Sequence, residues 1–137
     1  MSLIDDVIEH EGYEKKVYLD SLGKPTIGYG FLVEALELDI DICREILKRK
    51  LEQNELSLIR NLEFYRDLPR PVKDILQNMF YQLHYKLFKF KKTLRFIEDG
   101  DYKSASDEML DSLWAKQTPR RASELSIRMS EVQNEQR

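Results

Sequence analysis

One stretch of this chain is written for strands, and its place constrains the fold. Residues 15–32 run Val17-Tyr18-Leu19 into Asp20-Ser21-Leu22-Gly23, then Pro25-Thr26-Ile27-Gly28-Tyr29-Gly30-Phe31. β-branched and aromatic residues punctuated by glycine predict a hairpin. Pro25 has no N–H to donate and belongs at a strand start or edge, while Gly28 and Gly30 mark close backbone approach to another strand or a ligand. The segment before it is helical: Ser2 is placed to cap, Asp5 and Asp6 fall in the first turn, and Ile4, Val7 and Ile8 share a face. Gly12 stops that helix, because glycine accepts the left-handed conformation found there. Glu11 is thereby set at a helix end.

The remainder is helix-periodic. A second helix starts near Asp39 or Asp41, with Leu47, Leu51, Leu58, Leu62 and Tyr65 as an apolar stripe broken once. Pro69 and Pro71 mark the next boundary. Val72, Ile75, Leu76, Met79, Phe80 and Leu83 then predict a central buried helix. A short amphipathic segment ends at Gly100, Asp101 caps a helix running toward Trp114, and Thr118-Pro119 opens the last helix, whose inner face is Ala122, Leu125, Met129 and Val132. The fold class is therefore α+β: mostly α-helical, with a small β-hairpin lobe inserted after the first helix. We expect one domain over 1–137, with the hairpin lobe at about 13–38 and the helical lobe formed by 1–12 plus 39–137. A cleft between lobes is the natural ligand site.

Composition excludes several classes. Apolar runs are too short to span a bilayer, and the N-terminal residues have neither a basic start nor an apolar core. The expectation is a protein without signal peptide or stable membrane association, held in the cytoplasm of the cell that makes it. Cys43 has no disulfide partner and reads as a small buried hydrophobe. His10 and His84 lack metal-ligand spacing, so no metal and no cofactor are expected. The formal net charge of −3 hides an asymmetry, since residues 1–60 carry 13 acidic and 8 basic side chains. No acid lies between Ile75 and Ile97, a stretch with Lys86, Lys89, Lys91, Lys92 and Arg95 interleaved with aromatics. Such a stripe suits an anionic wall polymer or a nucleic acid; a solvated helix face with inward aromatics explains it equally well.

Chemistry enters through paired carboxylates. Glycosidic hydrolysis needs one carboxyl to protonate the leaving oxygen and another to activate water or attack the sugar. Glu11 ends a helix, Asp20 ends the first strand, and a hairpin folding back brings both to one cleft. Thr26, on the returning strand, places a hydroxyl close to Asp20, and the two can hold one water in line.

The spacing is specific. Glu11-Gly12-x5-Tyr18-Leu19-Asp20-x2-Gly23-x2-Thr26-Ile27-Gly28-Tyr29-Gly30 closely resembles the active-site signature of the T-even phage lysozymes and their relatives. Asn78-Met79-Phe80-Tyr81-Gln82 is similar to the family's Asn-Met-x-aromatic-Gln segment, and Trp114 through Ala122 to its Trp-x2-Gln-Thr-Pro-x-Arg-Ala stretch. The resemblance implies a lysozyme-like fold and a peptidoglycan muramidase of the endolysin type, acting as a monomer on glycan strands and held in the cytoplasm of the producing or infected bacterium until a holin-like factor releases it. It assigns Glu11 as general acid, with Asp20 and Thr26 positioning the water for inversion. It implies substrate contacts at Leu32, Tyr81, Gln82, Thr93, Glu108 and Arg121, with Arg121 at the position that pairs with the catalytic Glu. Departures are Phe31 where the family commonly has His, Thr93 for Ser, Glu108 for Asn, a short strand lobe and an acidic balance. Two competing readings are a catalytically inactive relative that binds glycan or protein, and a helical protein binding nucleic acid through residues 84–95. Intact Glu11, Asp20 and Thr26 favour the enzyme, with no nucleic acid as partner.

Overall fold

Ser2 starts the first helix as expected. Its Oγ accepts the Asp5 N–H at 3.2 Å and donates to the Asp5 carboxylate at 2.8 Å, a reciprocal cap that fixes the entry of α1 (Leu3–Glu11). In this computed structural model, which describes residues 2–135, α1 ends at Gly12 with φ 70° and ψ 165°. The positive φ needs glycine, but ψ is extended rather than left-handed helical, so the chain leaves the helix directly into a strand.

The hairpin is present and gains a third strand. β1 (Glu14–Leu19) pairs antiparallel with β2 (Pro25–Gly28), with Tyr18 opposite Thr26 and Leu19 opposite Pro25. The sequence predicts one returning strand through Phe31. Instead Gly28 (φ 72°) and Gly30 (φ 74°) bracket a tight turn at Tyr29-Gly30. β3 (Phe31–Leu32) then folds back on β2, with Thr26 opposite Leu32. A side chain at Gly28 would collide with the Phe31 ring, its Cβ lying 2.7 Å from that ring.

α2 (Ile40–Asn61) begins one residue after Asp39, whose Oδ1 accepts the Ile42 N–H at 3.1 Å. By its own contacts the chain divides into two compact units, Met1–Glu45 and Ile46–Arg137. α1, expected with the helical part, falls in the first unit together with the sheet. Cys43 is a correction: it is exposed, because the first turns of α2 carry no buried residue. Leu47, at 40% exposure, also lies outside the core that its stripe predicted, whereas Leu58, Leu62 and Tyr65 are buried.

The second unit holds the core. α3 (Arg70–Leu83) buries Val72, Ile75, Leu76, Met79 and Phe80, the face its periodicity predicts. Each such side chain contributes about 1.5–3 kcal/mol of hydrophobic stabilisation. A 3₁₀ segment, His84–Lys89, leads to α4 (Lys91–Glu98), then α5 (Tyr102–Leu110), α6 (Leu113–Gln117) and α7 (Pro119–Glu135). Asp101 caps α5 by accepting the Ser104 N–H at 3.1 Å. The helix expected to run to Trp114 stops at Leu110, and Ser112 starts α6 by accepting the Ala115 N–H. Thr118 does not cap α7 with its side chain; its hydroxyl donates back to the Trp114 carbonyl at 2.9 Å. Ala122, Leu125, Met129 and Val132 are all buried, as predicted. No helix among the described residues is long and apolar enough to cross a membrane.

One polar cluster staples this unit. A single oxygen, Glu55 Oε2, accepts from Tyr65 OH at 2.6 Å, Gln77 Nε2 at 2.7 Å and Arg70 Nη1 at 3.1 Å. The Tyr65 hydrogen bond, helped by those from Arg70 and Gln77 and by the Arg70 charge, holds the Glu55 carboxyl below the usual range, against the opposing effect of burial. A depressed folded value means that Glu55 stabilises the fold above its unfolded value of about 4.3. That contribution is lost as pH falls through the folded value. Glu55→Gln is expected to lower the unfolding midpoint at neutral pH and to flatten its fall on acidification. Parallel acid limbs in the two proteins, measured by thermal melts from neutral pH downward, would count against this role.

Candidate active site

Glu11 is the last residue of α1, where Gly12 turns the chain while its N–H still reaches the Ile8 carbonyl at 2.9 Å. The Glu11 carboxyl rests on the backbone of the β2–β3 turn. A Cβ built on Gly30 would overlap Glu11 Oε2 and come within 2.8 Å of Cδ. The close approach that the sequence assigned to a strand or a ligand is, at Gly30, an approach to the glutamate itself.

Asp20 follows β1 and organises the turn below it. Its Oδ1 accepts the N–H groups of Leu22 at 2.9 Å and Lys24 at 2.8 Å, and its own N–H donates to the Lys24 carbonyl at 2.9 Å. The turn therefore orients the carboxylate. Both of these side-chain bonds fall on Oδ1, so Oδ2 is outside that pair. Thr26 is 3% exposed, and its hydroxyl donates to the same Lys24 carbonyl at 2.9 Å. The Asp20 amide and the Thr26 hydroxyl thus converge on one oxygen. Strand alternation, continued from the Tyr18–Thr26 pair, puts both side chains on one face of the hairpin. Because the Thr26 hydrogen is committed to a carbonyl, which only accepts, its oxygen is left to accept from a ligand. Two neighbouring acceptors, a carboxylate and a hydroxyl oxygen, can take both hydrogens of one water and leave its lone pair outward. The sequence placed Thr26 beside Asp20; the shared Lys24 carbonyl had no signal in the residue pattern. Leu32 lies opposite Thr26 on β3 and is half-buried.

The remaining predicted residues lie in the second unit. Tyr81 is 40% exposed on α3. Gln82 Oε1 accepts the Trp114 indole N–H at 2.9 Å, and Trp114 is 3% exposed with its ring edge-on to Phe90 at 6.2 Å. This arrangement makes Trp114 a packing residue. Thr93, at the start of α4, and Glu108, on α5, line one cleft of about 610 Å³. Arg121 is held by Asn78: Nε donates to Oδ1 and Nη2 to the backbone carbonyl, both at 2.8 Å. That pairing spans 43 positions, and only the topology brings the two together. Phe31 packs edge-on against Tyr29 at 6.3 Å. Among the described residues no group of His, Cys, Asp and Glu is placed to hold a metal ion.

A mostly helical α+β fold with a small antiparallel sheet, and a helix-end glutamate laid on the turn of that sheet, are of the lysozyme kind. The phage lysozyme family model matches residues 8–131, and the chain belongs to that family. It is 28% identical to probable T4-type lysozyme 2 of Dictyostelium discoideum, over 89% of this chain and 90% of that protein. It is 29% identical to the pre-baseplate central spike protein Gp5 of Enterobacteria phage T4, over 93% of this chain and 27% of that protein. Probable T4-type lysozyme 1 of Dictyostelium discoideum is 30% identical over 78% of this chain and 59% of that protein.

Proposed function

We propose that this chain is an inverting muramidase, which hydrolyses the β-1,4 bond between N-acetylmuramic acid and N-acetylglucosamine in bacterial peptidoglycan. The substrate is the glycan strand, and the use is host lysis or wall penetration. The observation that carries the reading is the convergence of Asp20 and Thr26 on the Lys24 carbonyl. It supports a water held by two acceptors rather than an attacking carboxylate. Glu11 protonates the leaving oxygen, and the water enters from the opposite face. Inversion requires the two carboxyls about 6.5–9.5 Å apart, against about 5–5.5 Å for retention.

The test is wall clearing by the purified protein, with the anomeric form of the first products read by NMR. We expect clearing and initial α products. Retained β products, or a covalent adduct trapped on Asp20, would overturn inversion. Wall binding without clearing would make the chain a glycan-binding module instead. Thr26→Val keeps the shape of a buried side chain and removes the acceptor. It is expected to slow turnover about tenfold, the order of one hydrogen bond, and to change glycan binding much less. Normal turnover in that variant would remove Thr26 from the mechanism.

A further inference from the structure

The cleft lined by Thr93 and Glu108, two of the substrate contacts that the resemblance implies, carries further features that those two contacts do not account for. Four lysines border it: Lys86 and Lys89 from the 3₁₀ segment, and Lys91 and Lys92 from the first turn of α4. Among the described residues none of the four makes an ion pair. α4 also starts without a side-chain cap. Its first backbone bond runs from the Leu94 N–H to the Phe90 carbonyl at 3.0 Å, so the amides of Lys91, Lys92 and Thr93 are the open donors of the helix start. Cations in the first turn oppose the helix dipole, so this terminus is unfavourable until an anion reaches it.

Thr93 supplies an independent observation. It is 4% exposed and borders the cleft, yet its hydroxyl has no hydrogen-bond partner among the described residues. Among the described residues, every side-chain polar atom wholly shut off from solvent is paired. The Thr93 hydroxyl is therefore not wholly shut off, and the cleft is the cavity that Thr93 borders. Thr93, with its unpartnered hydroxyl, and the four lysines all border one cavity, and the open amides of the helix start belong to three of these residues.

We propose that this cleft is an oxyanion subsite that takes a phosphodiester-linked polymer attached to the wall. For the source of the ligand, the inference rests on the wall-hydrolase reading above. Helix-start amides with a hydroxyl and lysines suit phosphate oxygens. The ammonium groups are point charges, which follow a flexible chain of single charges better than they grip one planar carboxylate. The opposite side carries Glu108 and Asp111, which limits how dense a polyanion can enter. Nucleic acid is disfavoured for a second reason. Single strands need exposed aromatic faces, and of the two aromatic residues lining the cleft Trp114 is 3% exposed and Phe90 is half-buried.

The test uses NMR titration of the full chain with a three-unit glycerol phosphate oligomer, in wild type and in Glu11→Gln. The amides of Lys91, Lys92 and Thr93 are expected to shift in both, with an affinity that falls as salt rises. The triple variant Lys89→Gln/Lys91→Gln/Lys92→Gln should bind about tenfold more weakly and, without ligand, melt at least as high as wild type, since it relieves the helix start. Thr93→Val should also weaken binding. Unshifted helix-start amides, or equal affinity in the triple variant, would overturn the subsite. So would N-acetyl-D-alanine binding as tightly as the oligomer, or oligothymidylate of matched charge binding more tightly. Binding by a protein that clears no walls would keep the subsite and remove the hydrolase reading. Clearing without oligomer binding would do the reverse.

Discussion

Glutamine at position 11 is expected to stop wall clearing while leaving the fold in place. The change is nearly isosteric, and the amide has no acidic proton to deliver to the leaving oxygen. A positioned general acid contributes a factor of about 10²–10⁴, so the clearing rate should fall by at least the lower figure. Stability should barely move, because Glu11 is exposed and surface substitutions of this kind change it by about 0.5 kcal/mol or less. Glu11→Asp is the companion experiment. It keeps the acid but draws it back by one methylene, and a misplacement of about 1 Å costs on the order of 10²-fold. Clearing by Glu11→Gln within about tenfold of wild type would exclude Glu11 as the acid.

Much of the fold was legible because local rules and burial agreed. The inner faces of α3 and α7 follow helix periodicity, and nearly every residue on them is buried. Ser2 and Asp101 cap the helices they precede. Disagreements arose where a local rule had two solutions. Pro25 through Phe31 interleaves β-branched and aromatic residues with glycines that read equally as close approach within a strand, so the turn at Tyr29-Gly30 was hidden inside a strand pattern. Asp111 and Ser112 interrupt a helix that propensity alone would carry to Trp114. Cys43 and Leu47 sit on a helix whose early turns face no core, and a stripe of apolar residues does not say which of its turns is covered.

The candidate site was legible for a different reason. Glu11, Asp20 and Thr26 lie within a short segment, so their spacing fixes how a hairpin presents them. What the pattern did not reveal is carried by backbone. The Lys24 carbonyl that gathers the Asp20 amide and the Thr26 hydroxyl has no side-chain signature. The Arg121–Asn78 pair depends on how α3 and α7 pack, which no local window contains. The lysine stripe was ambiguous in one dimension. Its meaning changes once Lys86, Lys89, Lys91 and Lys92 border a cavity with a buried, unpartnered hydroxyl.

Gly30→Ala is expected to damage activity far more than its effect on stability accounts for. Two penalties coincide at this position. The backbone has φ 74°, a region that costs an L residue about 1–2 kcal/mol. The added Cβ would also occupy the space of the Glu11 carboxyl, which must then leave the turn. Gly100 separates the two effects: it has φ 75° and nothing within 4 Å of an added Cβ. Gly100→Ala should therefore lose similar stability to the strain part of Gly30→Ala and keep full clearing. Gly30→Ala should lose about 10²-fold in clearing, the usual consequence of a displaced catalytic group. A double-mutant cycle with Glu11→Ala checks the cause. With no carboxyl at position 11, the Gly30 substitution should cost only its backbone strain, so the stability losses of the two single variants should not add. Additive losses, or a Gly30→Ala enzyme that clears walls as well as Gly100→Ala, would show that the turn does not seat the acid.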